Sequence, residues 1–415
     1  MSRSPELVRL IEHLDSAVSP HHSVAHSARQ LVDAGFESVD FGRLERLPDR
    51  GFVADRGLLI AWRRGHAGAG FRIVGAHTDS PGLRLKPSSS STAHGWRQLN
   101  VEVYGGVLNN SWLDRDLGVA GVVVLIDGTT ELVRSSRPIA RVPQLAIHLD
   151  RDVNERGLVL DRQQHLAPVW GLDDGSATSV IEWLARDAGI DPDRVRTWDL
   201  GLFDVTGAAL LGSDEELLAS GRIDNQVSCW AAVEGLIASS SGPGTAVVAL
   251  FDHEEVGSES TTGAAGPRLE WILEALHDGS RAELHARYAD SLCISADCAH
   301  SVHPNYPDRH DPSHRPLPNK GPVVKINANQ RYATDSGSAA AFVALCERAG
   351  VPHQFFVSRN NMPCGSTIGP ITATRLGITT VDVGAAQLSM HSARELCGSA
   401  DPILLSLALR EHFSS

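Results

Sequence analysis

The stretch Thr245-Ala246-Val247-Val248-Ala249-Leu250-Phe251-Asp252-His253-Glu254-Glu255-Val256-Gly257 runs from an unbroken apolar segment straight into adjacent acids. The apolar part has the length and branched composition of a buried strand, so Glu254 and Glu255 arrive at its carboxyl end, where open α/β sheets place their ligands. Neighbouring carboxylates repel and are costly to desolvate, so a site that keeps both supplies a cation or lets one hold a proton. On a surface loop the same pair would be solvated charge. The surrounding chain decides between these readings.

Working outward, Gly70 to Ala76 is strand-like and leads directly into His77-Thr78-Asp79, while Gly57 to Trp62 precedes it as another strand. A histidine at a strand end followed two residues on by a carboxylate offers a zinc ligand with a partner for its ring, although the HxD pattern alone is common. On the other side, the strand 291–296 ends in Asp297, with His300 and His303 following, and the strand 378–384 is followed by Met390-His391. Asp224 precedes a helical run over 227–238, where it can act as a helix cap or face a site. Helices are expected over 267–277, 336–349 and 401–412, and further strands over 323–328 and 353–358. This interleaving predicts an α/β fold with a doubly wound mixed sheet.

Residues 88–218 have a different texture. Ser88 to Thr92 reads as a polar break, followed by β-rich pieces at 99–104, 119–126 and 144–149 and one helix around 178–188. We expect a mainly β domain over 88–218 inserted into a catalytic domain formed by 1–87 and 219–415. The amino-terminal segment 5–35 has helical spacing broken at Pro20. Its histidines, His13, His21, His22 and His26, lack the glutamate of an HExxH motif and are expected on a solvated face.

The 415 residues carry a formal charge of -13, which disfavours nucleic acid and anionic membrane as partners. The six cysteines (229, 293, 298, 346, 364 and 397) form no CxxC pair and suit reduced thiols in a cytoplasmic protein. No apolar run has signal-peptide or membrane-spanning character.

Together, His77, Asp224, Glu255, Asp297 and His391 make two imidazoles and three carboxylates, a ligand set suited to two zinc ions with one carboxylate bridging. Glu254 is left beside a ligand, the place for a general base acting on water. Lys325, inside an apolar strand, is costly to bury unless it meets an anion; otherwise its stem lies on the sheet and its head reaches solvent.

The segments GAHTDSPGLRLKP (75–87), RIDN (222–225), DHEEVGSES (252–260), SADCAHSVHPNY (295–306), KGPVVKINANQRYATD (320–335), PCGSTIGP (363–370) and LSMHSARE (388–395) resemble, in order, those of the aspartyl aminopeptidase family of cocatalytic dizinc metallopeptidases. The resemblance implies two Zn2+ per subunit, replaceable by Co2+ or Mn2+. It gives His77 and Asp297 to one ion, Glu255 and His391 to the other, Asp224 as the bridge, Asp79 as support for His77, and Glu254 as the base. It implies that Lys325, with His300 and Tyr332, receives an N-terminal Asp or Glu side chain of a peptide. It also implies that the inserted domain makes dimer contacts within a tetrahedral dodecamer. His148 would reach a neighbouring subunit's site or count with the metal ligands. The alternatives are a dizinc aminopeptidase or N-acyl amino acid deacylase of other specificity, or a catalytically silent shell or cargo protein.

Overall fold

In the computed structural model, which describes residues 4–173, 175 and 178–415, the two acids at 254 and 255 follow a central strand of the largest sheet. Across that nine-stranded sheet the order is Glu37–Ser38, Arg50–Asp55, Leu58–Arg63, Thr245–Phe251, Phe71–His77, Leu292–Ala296, Thr379–Gly384, Val323–Ile326 and Gln354–Val357. Thr245–Phe251, Phe71–His77, Leu292–Ala296 and Thr379–Gly384 are mutually parallel, and their flanks turn antiparallel, so the sheet is mixed.

Side chains alternate across a strand, and here both faces are buried. Ala246, Val248 and Leu250 pack into one core with the helices Pro5–Ser16, Pro20–Asp33, Ile223–Ala238, Ser336–Ala349 and Asp401–Ser414. Val247, Ala249 and Phe251 pack into another with Arg268–Ala275, Arg281–Ala289 and Ile368–Leu376. Helices on both faces explain why these strands read as continuous apolar runs.

A second, antiparallel sheet of six strands draws on Gly82–Ala93, Trp96–Tyr104, Leu117–Leu125, Thr130–Arg134, Val169–Leu172 and Val195–Asp204, with its own core under the Val180–Asp187 helix. A third, of five strands, joins Leu217–Ser220 to Glu395–Gly398.

Several expectations need correction. Ser88 to Thr92 is no break but part of the Gly82–Ala93 strand, whose register slips between Leu85 and Ser90. Its serines are satisfied laterally: Ser90 Oγ accepts the Val180 N–H at 3.1 Å, and Ser91 Oγ donates to Asn100 Oδ1 at 2.9 Å. Residues 144–149 form no strand. The alternation is present, but Leu145, Ile147 and Leu149 stay exposed, the last 74%.

The amino-terminal histidines are not on a solvated face. His13 and His21 are buried, with His13 Nε2 3.2 Å from Gln226 Oε1 and His21 Nε2 3.1 Å from Asp199 Oδ2, because the two helices are covered by the Ile223–Ala238 helix and the six-stranded sheet. The helices Arg281–Ala289 and Ile368–Leu376 were not expected from sequence pattern. None of the six cysteines is disulfide-bonded, and five are buried. Among the described residues no helix is long and apolar enough to cross a membrane.

Candidate active site

Parallel pairing brings the functional side chains to one edge. Phe251 lies level with His77, and Ala296 with Val383, so the chain leaves all four parallel strands at the same end. There His77, Asp224, Glu254, Glu255, Asp297 and His391 line one cleft of about 540 Å³ with His300, Lys325, Tyr332, Ser366 and Thr367.

Two donor groups share Asp224. His77 Nε2 lies 3.4 Å from Asp224 Oδ1 and 3.6 Å from Asp297 Oδ1; His391 Nε2 lies 3.6 Å from Asp224 Oδ2 and 3.4 Å from Glu255 Oε2. In each triad the ligand atoms lie within 4.8 Å of one another. Two ligand atoms on a tetrahedral zinc, each about 2.0–2.1 Å from it, are about 3.3–3.4 Å apart. Asp224 Oδ1 and Glu255 Oε1 are also buried without a hydrogen-bond partner among the described residues, an arrangement that calls for a cation. Spacing, donor chemistry and orphaned oxygens therefore fit zinc at both triads.

Asp224 does not cap the following helix. It lies inside the Ile223–Ala238 segment at a non-helical step (φ -80°, ψ 106°), and its carboxylate faces the two histidines. Those imidazoles hold it well below the ordinary carboxylate range against the opposing effect of burial. Burial raises Glu254 to about 7, with Asp297 and Asp224 adding to the rise against the pull of His77. Glu254 Oε2 stands 4.0 Å from His77 Nε2.

Asp79 organises one side of this cluster. Fully buried, its carboxylate accepts the N–H groups of Glu254 (3.0 Å) and Glu255 (3.1 Å) and the Tyr104 hydroxyl (2.7 Å), and lies 3.5 Å from His77 Nδ1. Glu395 performs the matching task opposite, accepting the N–H groups of Asp224 (3.0 Å) and His391 (2.8 Å). Sequence pattern pointed to neither Tyr104 nor Glu395. Tyr104 comes from the six-stranded sheet, and the only signal for Glu395 is its place four residues after His391 in the segment LSMHSARE.

Lys325 is 2% exposed, which rules out a head reaching solvent. Its Nζ lies 3.4 Å from Asp297 Oδ2, donates to the Cys298 carbonyl at 3.2 Å, and sits 5.1 Å from the centre of the Tyr332 ring. His300 packs edge-on against Phe356 at 5.8 Å and stays open to the cleft. His148 stands apart, exposed on the 144–150 segment and absent from the cleft lining.

Comparison with known proteins agrees with this architecture. Residues 13–413 match the family described as Aminopeptidase I zinc metalloprotease (M18). A probable M18 family aminopeptidase 2 of Streptomyces coelicolor is 50% identical over 412 residues, covering 96% of this chain and 95% of its own length. Its namesake in Mycobacterium tuberculosis is 46% identical over 424 residues, covering 98% and 97%. Among solved structures, the S. cerevisiae mApe1 dodecamer superposes with a TM-score of 0.85 at 27% identity, over 99% of this chain and 96% of that one. An M18 aminopeptidase from Thermotoga maritima shares the fold with a TM-score of 0.86 at 23% identity, over 99% and 97%. The chain therefore belongs to the M18 family of zinc metallopeptidases, the aspartyl aminopeptidase family.

Proposed function

We propose that this protein removes N-terminal aspartate or glutamate from peptides, using two zinc ions held by His77, Asp297, Glu255 and His391 with Asp224 between them. The observation that carries the substrate class is Lys325, a buried ammonium in the wall of the cleft beside the metal-fitting cluster. A cation so enclosed favours a substrate carboxylate by a short-range contact, which the diffuse charge of -13, screened over about 10 Å, does not cancel. Tyr332 and His300 complete that wall, and the surrounding carboxylates suit a free α-amino group, which restricts cleavage to the first peptide bond.

When bound, zinc supplies Lewis-acid polarisation of the scissile carbonyl and acidifies the attacking water. Glu254 takes the proton of that water and returns it to the departing amine. Its place beside the ligand cluster, with Oε2 4.0 Å from His77 Nε2, suits both halves of this exchange. Asp79 fixes the Glu254 and Glu255 backbone through their N–H groups, so the base and its neighbour keep separate directions.

The exposed His148, Leu145, Ile147 and Leu149 support an assembly in which the domain over 88–218 meets a second copy and His148 reaches the neighbour's cleft, and the related S. cerevisiae structure is a dodecamer. The deciding experiment is hydrolysis of Asp-, Glu- and Leu-anilides by the zinc- or cobalt-loaded protein. Asp and Glu substrates should turn over at least tenfold faster than Leu; equal rates would refute the acidic specificity.

A further inference from the structure

Asp382 belongs to none of the groups assigned above, yet it is a fully buried carboxylate in the Thr379–Gly384 strand. A buried charge persists only when donors or a cation meet it. Its partners come from the two loops that wall the cleft around Lys325. Oδ2 accepts the N–H of Ala333, next to Tyr332, at 2.6 Å, and Oδ1 accepts the hydroxyl of Thr367 at 2.5 Å. The strand adds a third tie, Asp382 N–H donating to Thr334 Oγ1 at 2.9 Å.

The helix Ile368–Leu376 begins hard against the same carboxylate. A Cβ on Gly369 would stand 2.4 Å from Asp382 Oδ2, so the glycine lets the helix start press onto it. Lys325 is reached from the adjacent strand. Val323 pairs with Gly384 and Val324 with Val383 in antiparallel register, so Lys325 follows on the strand next to the one that carries Asp382.

We infer that Asp382 is a positioning residue for substrate selection: it holds the Tyr332 loop and the 365–367 loop in place around Lys325, so that the pocket accepts an acidic side chain. This inference rests on the acidic specificity proposed above. Asp382 does not itself touch substrate. Its effect should appear in KM for acidic substrates and leave the hydrolytic step alone.

The test compares wild type with Asp382→Asn, both zinc-loaded full-length protein, on Asp- and Leu-anilides, with zinc content measured in parallel. Asn keeps the volume and one acceptor but removes the charge. We expect KM for the Asp substrate to rise at least tenfold, with kcat within twofold, zinc content unchanged, and Leu-anilide kinetics within twofold of wild type. A KM for the Asp substrate within twofold of wild type, or an equal loss on both substrates, overturns the inference. The wild-type arm separates the two ideas: without acidic preference there, the proposed specificity fails first and this inference with it. Should Asp382→Asn not fold, Thr367→Val, which removes the hydroxyl bond, is compared with Thr367→Ser, which keeps it. Val should raise the acidic KM and Ser should not; identical behaviour of the two overturns the inference.

Discussion

Replacing Lys325 by methionine removes the ammonium while keeping an unbranched stem of similar reach. In the native cleft Nζ lies 3.4 Å from Asp297 Oδ2 and donates to the Cys298 carbonyl, with 2% of the residue exposed. An incoming substrate carboxylate that lost this partner would be buried without a counter-charge, and truncating one side of such a pair costs about 2–5 kcal/mol. At about 1.4 kcal/mol per factor of ten, kcat/KM for Asp-anilide should fall roughly 30-fold to several thousand-fold. Leu-anilide carries no such carboxylate, so its kcat/KM should hold or rise, and the preference should flatten or reverse. The assay is the ratio of the two kcat/KM values at fixed ionic strength, with zinc content measured because Asp297 also loses a neighbour. A variant that retains full zinc and an unchanged Asp:Leu ratio would refute the assignment of Lys325 to substrate.

Other perturbations probe separate parts of the structure. Glu254→Gln should keep its metal and lose about 10²–10⁴-fold in kcat, the usual worth of a positioned acid-base group, and near wild-type turnover would remove Glu254 from the mechanism. Chelation followed by calorimetry should lower the unfolding midpoint, since the crowded carboxylates around Asp224 and Glu255 lose their cations; zinc at about 100 times its Kd should restore about 2.7 kcal/mol for each site it fills. Burial lowers His13 from 6.5 to about 3, with His26 adding to the effect, so the folded state keeps it neutral where the unfolded chain binds a proton. Its contribution is therefore complete above pH 6.5 and is lost as pH falls towards 3, amounting to about 2 kcal/mol at pH 5. In urea titrations at pH 7 and pH 5, His13→Gln should lose about 2 kcal/mol less than wild type between the two; equal losses would show that His13 titrates normally.

Local pattern carried the main sheet well because its central strands are covered on both faces, which leaves runs such as Val247-Val248-Ala249-Leu250 with no polar interruption. It failed where a neighbour supplies what the segment lacks. Ser88 to Thr92 stays in a strand because Val180 and Asn100 pair with its hydroxyls, and 144–149 leaves the sheet although its alternation is sound. The short helices Arg281–Ala289 and Ile368–Leu376 were hidden for a related reason. Their buried faces are defined by the sheet they lie on more than by strong periodicity of their own.

For the cleft, the sequence by itself determined which residues arrive there. His77, Glu254, Glu255 and Asp297 each stand at or just after the carboxyl end of a strand, and parallel strands in one sheet share that end, so their convergence follows from chain direction. The tertiary structure alone decided how those groups are held. Asp79 meets Tyr104 from another sheet, Glu395 reaches Asp224 across 171 residues and also holds His391, and Asp382 binds the loops that carry Ala333 and Thr367. Most of these bonds join backbone or hydroxyl donors to carboxylates far apart in the chain and leave no periodic trace. Only the packed sheets bring each pair within reach.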